Sequence, residues 1–278
     1  MDVEKMLTVA RGPLAVSVFG GRGHSKIFEY DGRKYFYKDY SGNGYPPIRG
    51  LKGLEFKLFE KVKYDIPSTR QLTPHLSPTE RCQKEVSTIQ KWADEGIETP
   101  KIIAFGDTYI VYNFMVGRGL NEILEGDLNI SDFEKMVNVW QRIRAGAIKY
   151  KDVEMLHPDP YPDNFFYDEQ RKLVLPIDPG KGIVTGMPFD EVDARLNLFM
   201  LQKIFGIKTS GENQKRYLQI VAESFSDEDK KKTADICCEN TAKQKAALNE
   251  TAKRYGLGAK GLLIYCDHLD EIREALYK

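Results

Sequence analysis

The segment HPDPYPDN, residues 157–164, together with Asp178 in LPIDPG, constrains this chain more than any other sequence feature. It reads as a loop that leads into a small hairpin made of FFY and KLVLPID, so two carboxylates and an amide lie on loops flanking that hairpin. Phosphoryl transfer needs a carboxylate at the incoming hydroxyl and oxygen ligands for magnesium on the ATP phosphates. Asp159 suits the first role, and Asn164 and Asp178 suit the second. The sequence therefore predicts a phosphotransferase that uses ATP and magnesium.

Composition and charge argue against several other classes of protein. The chain has 278 residues, of which 41% are apolar and 29% charged, an ordinary balance for a soluble globular protein, and no apolar run is long enough to cross a bilayer. Lys plus Arg equals Asp plus Glu at 41 each, so no global field favours nucleic acid. The N-terminus lacks an export signal pattern. We therefore expect a cytoplasmic protein with no nucleic-acid partner and no transmembrane segment.

The cysteines do not form a metal site by spacing. None of the pairs among them has the two- to four-residue gap of a zinc knuckle, so we expect reduced, structural thiols. The four are Cys82, Cys237, Cys238 and Cys266.

The first third of the chain reads as short strands. They are LAVSVFG from Leu14, and then SKIFEY and RKYFYKDY on either side of Asp31-Gly32, a dipeptide that favours a tight hairpin turn. We therefore expect the chain to start with an antiparallel sheet. Residues 41–77 are rich in Gly, Pro, Ser and Thr apart from a predicted short helix, and indicate an insertion with a mobile or substrate-facing surface.

A helix is predicted to follow this insertion. Ser77 and Glu80 form a capping box with Pro78 at the first helical position, so the helix should run from here toward Gly96. Its predicted apolar stripe is Cys82, Val86, Ile89 and Ala93.

Two further strands, KIIAFGD and TYIVYNFM, precede a break in the pattern at VGRGL. We interpret that break as the boundary between an N-terminal lobe, residues 1–115, and a C-terminal lobe, residues 116–278. A second capping box, Ser131 with Glu134, should open a helix. Its apolar face is Phe133, Val137, Trp140 and Ile143. From Glu191 onward the chain reads as mainly helical, so the predicted class is α+β.

The loop and the later aspartate together resemble the protein-kinase-like superfamily, in particular its aminoglycoside-phosphotransferase-like and lipopolysaccharide-core heptose-kinase-like branches. Those families use an H-x-D-x-x-x-x-N loop followed by a metal-binding Asp, and HPDPYPDN fits that loop position for position. The resemblance covers roughly residues 14–206. It implies a bilobal kinase-like fold with an antiparallel N-lobe, a mainly helical C-lobe and ATP in the cleft.

The resemblance also implies roles for residues upstream of the loop. The turn FGGRGHS, with Gly20, Gly21 and Gly23, resembles the glycine-rich turn that covers the phosphates, although its spacing differs from G-x-G-x-x-G. Lys38 is the first choice for the phosphate-binding lysine, and Lys34, on the same strand face, is the alternative. Glu85 would pair with Lys38. Backbone groups from Asn113 to Met115 would bind adenine.

Several details bear on the phosphate acceptor. Pro158 stands where regulated protein kinases usually carry Arg, and only a short segment without an Ala-Pro-Glu signature separates Asp178 from the next helix. EVDARLNLFMLQKIFGI is similar to the corresponding helix of heptose-kinase-like sequences. The first prediction is therefore a sugar or other small hydroxyl compound.

Other acceptors and other families remain open. An atypical protein Ser/Thr kinase and a nucleotide-binding pseudokinase are the alternatives. The coenzyme Q-associated atypical kinases rank lower because this chain lacks their Lys-x-Gly-Gln motif. His157 is expected to support the loop through backbone hydrogen bonds.

Overall fold

The computed structural model describes residues 2–13, 15–17, 24–41, 76–126, 129–180, 183, 186–238 and 268–277. The predicted glycine-rich turn with Gly20, Gly21 and Gly23 lies outside the described residues, as do nearly all of the insertion 41–77 and the segment 239–267.

The first described sheet is antiparallel and has five strands: β1 (Val16–Ser17), β2 (His24–Tyr30), β3 (Arg33–Asp39), β4 (Ile102–Phe105) and β5 (Tyr109–Asn113). Their order in the sheet is β1-β2-β3-β5-β4. Asp31 and Gly32 have φ values of 52° and 68°, so both turn residues adopt the left-handed conformation that a two-residue hairpin between β2 and β3 requires. Of the predicted strand LAVSVFG, only Val16 and Ser17 are described as strand.

A helix that the sequence reading missed precedes this sheet. Helix α1 (Val3–Arg11) begins at Asp2, whose side chain accepts a hydrogen bond from the backbone N–H of Lys5. Its buried residues, Met6 and Ala10, pack in one cluster with Phe28, Tyr35, Tyr37 and Val111 of the sheet. The expectation that the chain starts with the sheet is therefore wrong. Apolar residues spaced three or four apart form one face of a short helix that covers the outer sheet face.

Helix α2 (Pro78–Asp94) confirms the predicted capping box. The Ser77 side chain accepts from the Glu80 backbone, and the Glu80 side chain accepts from the Ser77 backbone. The predicted apolar stripe is wrong at one position, because Ala93 is exposed and Trp92 is fully buried. The Trp92 indole N–H also donates to the Met155 carbonyl at 2.6 Å, which fastens the end of α2 to the C-terminal part.

Helix α4 (Ile130–Tyr150) has the predicted apolar face but not the predicted cap. Asn129, not Ser131, is the N-cap, and its side chain accepts from the Asp132 backbone. The Ser131–Glu134 capping box is therefore wrong, because the helix begins two residues earlier than that box requires. The predicted face is buried as expected: Phe133, Val137, Trp140 and Ile143.

Three described strands form a second antiparallel sheet, in the order β6 (Gly117–Gly119), β7 (Phe165–Asp168) and β8 (Leu173–Pro176). The predicted hairpin is present as β7 (Phe165–Asp168) and β8 (Leu173–Pro176). The VGRGL segment, predicted as a break, forms β6 (Gly117–Gly119) and then α3 (Leu120–Leu124). A Cβ on Gly117 would lie 1.9 Å from the Tyr167 carbonyl oxygen, so the glycine permits a close strand approach and does not interrupt the structure.

The rest of the described chain is mainly helical, and it completes the expected α+β fold. Arg144 of α4 donates to both oxygens of Asp193 at 2.8 and 2.6 Å and contacts Asp229 at 2.9 Å, which ties three helical segments together. None of the described helices is both long and apolar enough to span a membrane. The remaining helices are α5 (Phe189–Ile204), α6 (Gly211–Glu223), a segment at 227–238 and α7 (Leu269–Tyr277).

Candidate active site

Lys38 lies at the centre of a charged cluster that joins the two parts of the molecule. Its Nζ is 2.9 and 2.6 Å from the two carboxylate oxygens of Glu85 in α2, and 2.7 Å from Oδ1 of Asp178, just after β8. Burial alone would lower the pKa of Lys38, but the carboxylates of Asp178 and Glu85 raise it above its ordinary value. The ammonium therefore stays charged throughout the neutral range.

The alternative lysine has a different environment. Lys34 is exposed, and its Nζ lies 5.8 Å from the centre of the Phe114 ring. Strand alternation puts both lysines on one face, but only Lys38 is far enough from the hairpin turn to contact Glu85 and Asp178. The geometry therefore favours Lys38.

Two tyrosines also bind the Glu85 carboxylate. The Tyr112 hydroxyl donates to Oε1 at 2.5 Å, and the Tyr40 hydroxyl donates to Oε2. The Glu85 side chain is only 2% exposed, so these donors and Lys38 offset the loss of its hydration. Burial, together with the charge of Glu85, raises the pKa of both tyrosines, so their hydroxyls remain protonated donors at neutral pH.

The turn after β8 brings its backbone against this cluster. Asp178 has a φ of 58°, a left-handed conformation that costs about 1–3 kcal/mol for a non-glycine residue. Two residues later, a Cβ on Gly180 would lie 2.8 Å from Oε2 of Glu85 and 3.1 Å from the Tyr40 hydroxyl. The strained aspartate and the glycine allow the IDPG turn to approach Glu85 closely.

His157, the first residue of the loop 157–164, anchors that loop to the residues around it. Its ring stacks between Trp92 and Phe165, with centroid distances of 5.5 and 5.6 Å. Nδ1 accepts from the Asp159 backbone N–H at 3.1 Å, and Nε2 lies 2.9 Å from the Ile177 carbonyl. These contacts assign the proton to Nε2 and confirm the expected structural role of this histidine.

Asn164 closes the loop and connects it to Asp178. Its side-chain Nδ2 donates to the Asp159 carbonyl at 2.8 Å, which leaves Oδ1 as the amide atom that can face a cation. The Ile177 backbone N–H donates to the Asn164 carbonyl at 2.9 Å. The two predicted metal ligands and Asp159 are therefore fixed to one another through the residue that precedes Asp178.

The donor set suits magnesium bound with a nucleotide. Among the described residues, no group of three or more His, Cys, Asp or Glu side chains could hold a metal by itself. One carboxylate, Asp178, and one amide oxygen, Asn164, match the small protein contribution that Mg²⁺ usually takes when substrate phosphates supply other ligands.

The structure reduces the number of backbone N–H groups that could bind adenine. The backbone N–H of Asn113 donates to the Lys101 carbonyl at 3.0 Å, and that of Phe114 donates to the Lys34 carbonyl at 3.4 Å. Both N–H groups therefore already donate to backbone carbonyls of the protein. In the segment from Asn113 to Met115, the backbone N–H of Met115 is therefore the remaining candidate donor to adenine.

Sequence reasoning missed three residues of this cluster: Tyr40, Tyr112 and Gly180. One signal was available for Tyr40, because strand alternation places it on the same face as Lys38, two residues earlier. Tyr112 has no comparable signal, since its importance depends on a contact with Glu85 across 27 residues of chain.

Comparisons with known proteins give a limited result. No protein-family model matches the chain, and no curated protein matches its sequence. The crystal structure of choline kinase LicA from Streptococcus pneumoniae aligns with 98% of this chain and 98% of its own, at 13% identity and a TM-score of 0.44.

Proposed function

We propose that this protein is an ATP-dependent kinase that transfers the γ-phosphoryl group to a hydroxyl of a small molecule, with a sugar as the first candidate. The observation that carries the proposal is the position of Lys38, which bridges Glu85 and Asp178 beside the loop that holds Asp159 and Asn164. This set of residues suits phosphoryl transfer. It combines a charged lysine, Lys38, that is held by the buried Glu85. It also contains two oxygen ligands for magnesium, Asn164 and Asp178, and a carboxylate for the acceptor hydroxyl, Asp159.

Each residue has a distinct role in the proposed reaction. Lys38, held by Glu85, binds phosphate oxygens, and Asp159 accepts a hydrogen bond from the acceptor hydroxyl and orients it for in-line attack. Asn164 and Asp178 hold magnesium, which when bound offsets negative charge on the phosphates.

The lobe assignment and the adenine contact belong to the same proposal. We place the lobe boundary near residue 115, with ATP in the cleft between the lobes. The glycine-rich turn is proposed from sequence alone, through Gly20, Gly21 and Gly23. The Met115 backbone binds adenine.

A small acceptor is supported by the short connection after Asp178. Residues 179–188 lie between it and α5, which begins at Phe189. A segment of this length offers little surface for a peptide substrate. Protein and pseudokinase functions are the competing outcomes of the experiment below.

The test is magnesium-dependent transfer of labelled γ-phosphate from ATP to panels of sugars, aminoglycosides and generic proteins. Asp159→Asn and Asp178→Asn should each lower transfer by about 100-fold or more, the scale for losing a general base or metal ligand. Asp163→Asn is the matched control, because this exposed carboxylate lies in the same loop and has no assigned role.

The outcomes separate the candidates. Transfer to a small molecule that is lost in the Asp159 and Asp178 variants but kept in the Asp163 variant supports the proposal. Transfer only to proteins would favour an atypical protein kinase. Clear nucleotide binding with no transfer to any acceptor would indicate a pseudokinase and contradict the proposed activity.

A further inference from the structure

We propose that Tyr40 and Tyr112 are positioning residues that hold the Glu85 carboxylate in one orientation, so that Glu85 presents Lys38 to the nucleotide phosphates. The last step of this inference rests on the proposed function. The arrangement of the carboxylate itself does not.

The first step is the number of donors around Glu85. Lys38 contacts both carboxylate oxygens, Tyr112 donates to Oε1 and Tyr40 donates to Oε2. A carboxylate has about four acceptor positions, and four contacts from three side chains are present here. Glu85 therefore has a single favourable orientation in a site that is almost closed to water.

The second step is where the donors come from. Tyr40 directly follows β3, Tyr112 lies in β5 and Glu85 lies in α2. The two hydroxyls thus connect the helix to two neighbouring strands at the level of Lys38. Hydrogen bonds to a charged group are stronger than neutral ones, and each tyrosine reaches the carboxylate with a rigid ring and few rotatable bonds.

The third step is the competition for Lys38. Its ammonium lies within 2.7 Å of carboxylate oxygens on both Glu85 and Asp178. If the Glu85 carboxylate rotated away, Lys38 would be left with Asp178, the proposed metal ligand. By fixing Glu85, the tyrosines keep Lys38 from pairing with Asp178 alone.

The experiment is a double-mutant cycle on nucleotide affinity. Tyr40→Phe and Tyr112→Phe are made separately in the wild type and in Glu85→Gln, and the dissociation constant of Mg-ATP is measured by calorimetry. We expect each Phe variant to weaken affinity by about 10-fold in the wild type, the size of one charge-assisted hydrogen bond, and by less than about 2-fold in Glu85→Gln.

Tyr37→Phe is the matched control, because Tyr37 lies in β3, three residues before Tyr40. The Tyr37 hydroxyl lies 3.3 Å from Nε of Arg11 and 3.4 Å from Oδ2 of Asp39, on the sheet face under α1. We expect it to leave Mg-ATP affinity within about 2-fold. Circular dichroism at the assay temperature checks that every variant is folded.

The results separate this inference from the proposed function. Equal losses in the wild-type and Glu85→Gln backgrounds would overturn the inference, because the hydroxyls would then not act through Glu85; so would wild-type affinity in both Phe variants. If Mg-ATP binds with the expected coupling but no acceptor is phosphorylated, the inference stands and the proposed function fails. If the wild type does not bind Mg-ATP, both are overturned.

Discussion

Gly180→Ala tests how closely the IDPG turn packs against the lysine–glutamate pair. The added methyl carbon would lie 2.8 Å from Oε2 of Glu85 and 3.2 Å from the Arg81 carbonyl oxygen, where ordinary contact begins at about 3.4 Å. The contact with Glu85 is about 0.6 Å too short, so either the Glu85 side chain or the turn must move. The turn is also held by the Arg81 carbonyl, a backbone group that cannot rotate away. Overpacking of this kind costs about 1–3 kcal/mol.

The cost should appear in both stability and function. We expect the free energy of unfolding to fall by that amount, measured by urea denaturation. If Glu85 moves, ATP turnover should fall roughly 5- to 150-fold by the same energy scale. Gly211→Ala is the control, since nothing lies within 4 Å of its added Cβ. If Gly180→Ala had the same unfolding free energy as this control and a turnover within about twofold of it, the close packing of Gly180 against Glu85 would be contradicted.

Two further predictions concern groups outside the proposed reaction. Arg144→Met should lower the unfolding free energy by about 3–5 kcal/mol in urea, because the buried Asp193 loses its partner. Burial alone would raise the pKa of Asp229, but Arg144 lowers it. The stabilisation from the Arg144–Asp229 pair is therefore present above about pH 4 and is lost as the pH falls further. Arg144→Met should therefore lose less stability than the wild type between pH 5 and pH 2, and an unchanged acid dependence would contradict this. Burial raises the pKa of Cys82 to about 11, so iodoacetamide at pH 8 should label exposed Cys238 and spare Cys82 in mass spectra; rapid labelling of Cys82 would contradict its burial.

Local signals predicted those parts of the fold that local physics determines. The start of α2 follows from Ser77, Pro78 and Glu80, because the capping box and proline act within one helical turn. The β2–β3 turn follows from Asp31-Gly32 for the same reason. The predicted cap of α4 was wrong because Asn129, two residues before Ser131, competes for the same role, and sequence alone does not rank two capping residues so close together.

The candidate site was predictable only where residue spacing carries chemistry. Asp159, Asn164 and Asp178 could be chosen from their order along the chain, and Lys38 from strand alternation. The Tyr112 hydroxyl could not be assigned, because tyrosine in a strand is equally consistent with ordinary core packing. Its contact with Glu85 arises only when β5 and α2 come together in three dimensions.

Under the proposed function, the contacts of Lys38 indicate which of its two carboxylate partners a bound phosphate replaces. All three N–H groups of its ammonium can be assigned to carboxylate oxygens, two on Glu85 and one on Asp178, so a phosphate contact must replace one of them. Glu85 is 2% exposed and is also held by two tyrosines, whereas Asp178 is 38% exposed and makes one contact with the lysine. Without Lys38, Glu85 would be a buried charge with no cation beside it, whereas the negative charge of Asp178 can be compensated by water or a metal. Under the proposed function, Lys38 therefore exchanges Asp178 for phosphate and keeps Glu85, and the same exchange makes Asp178 available as a metal ligand.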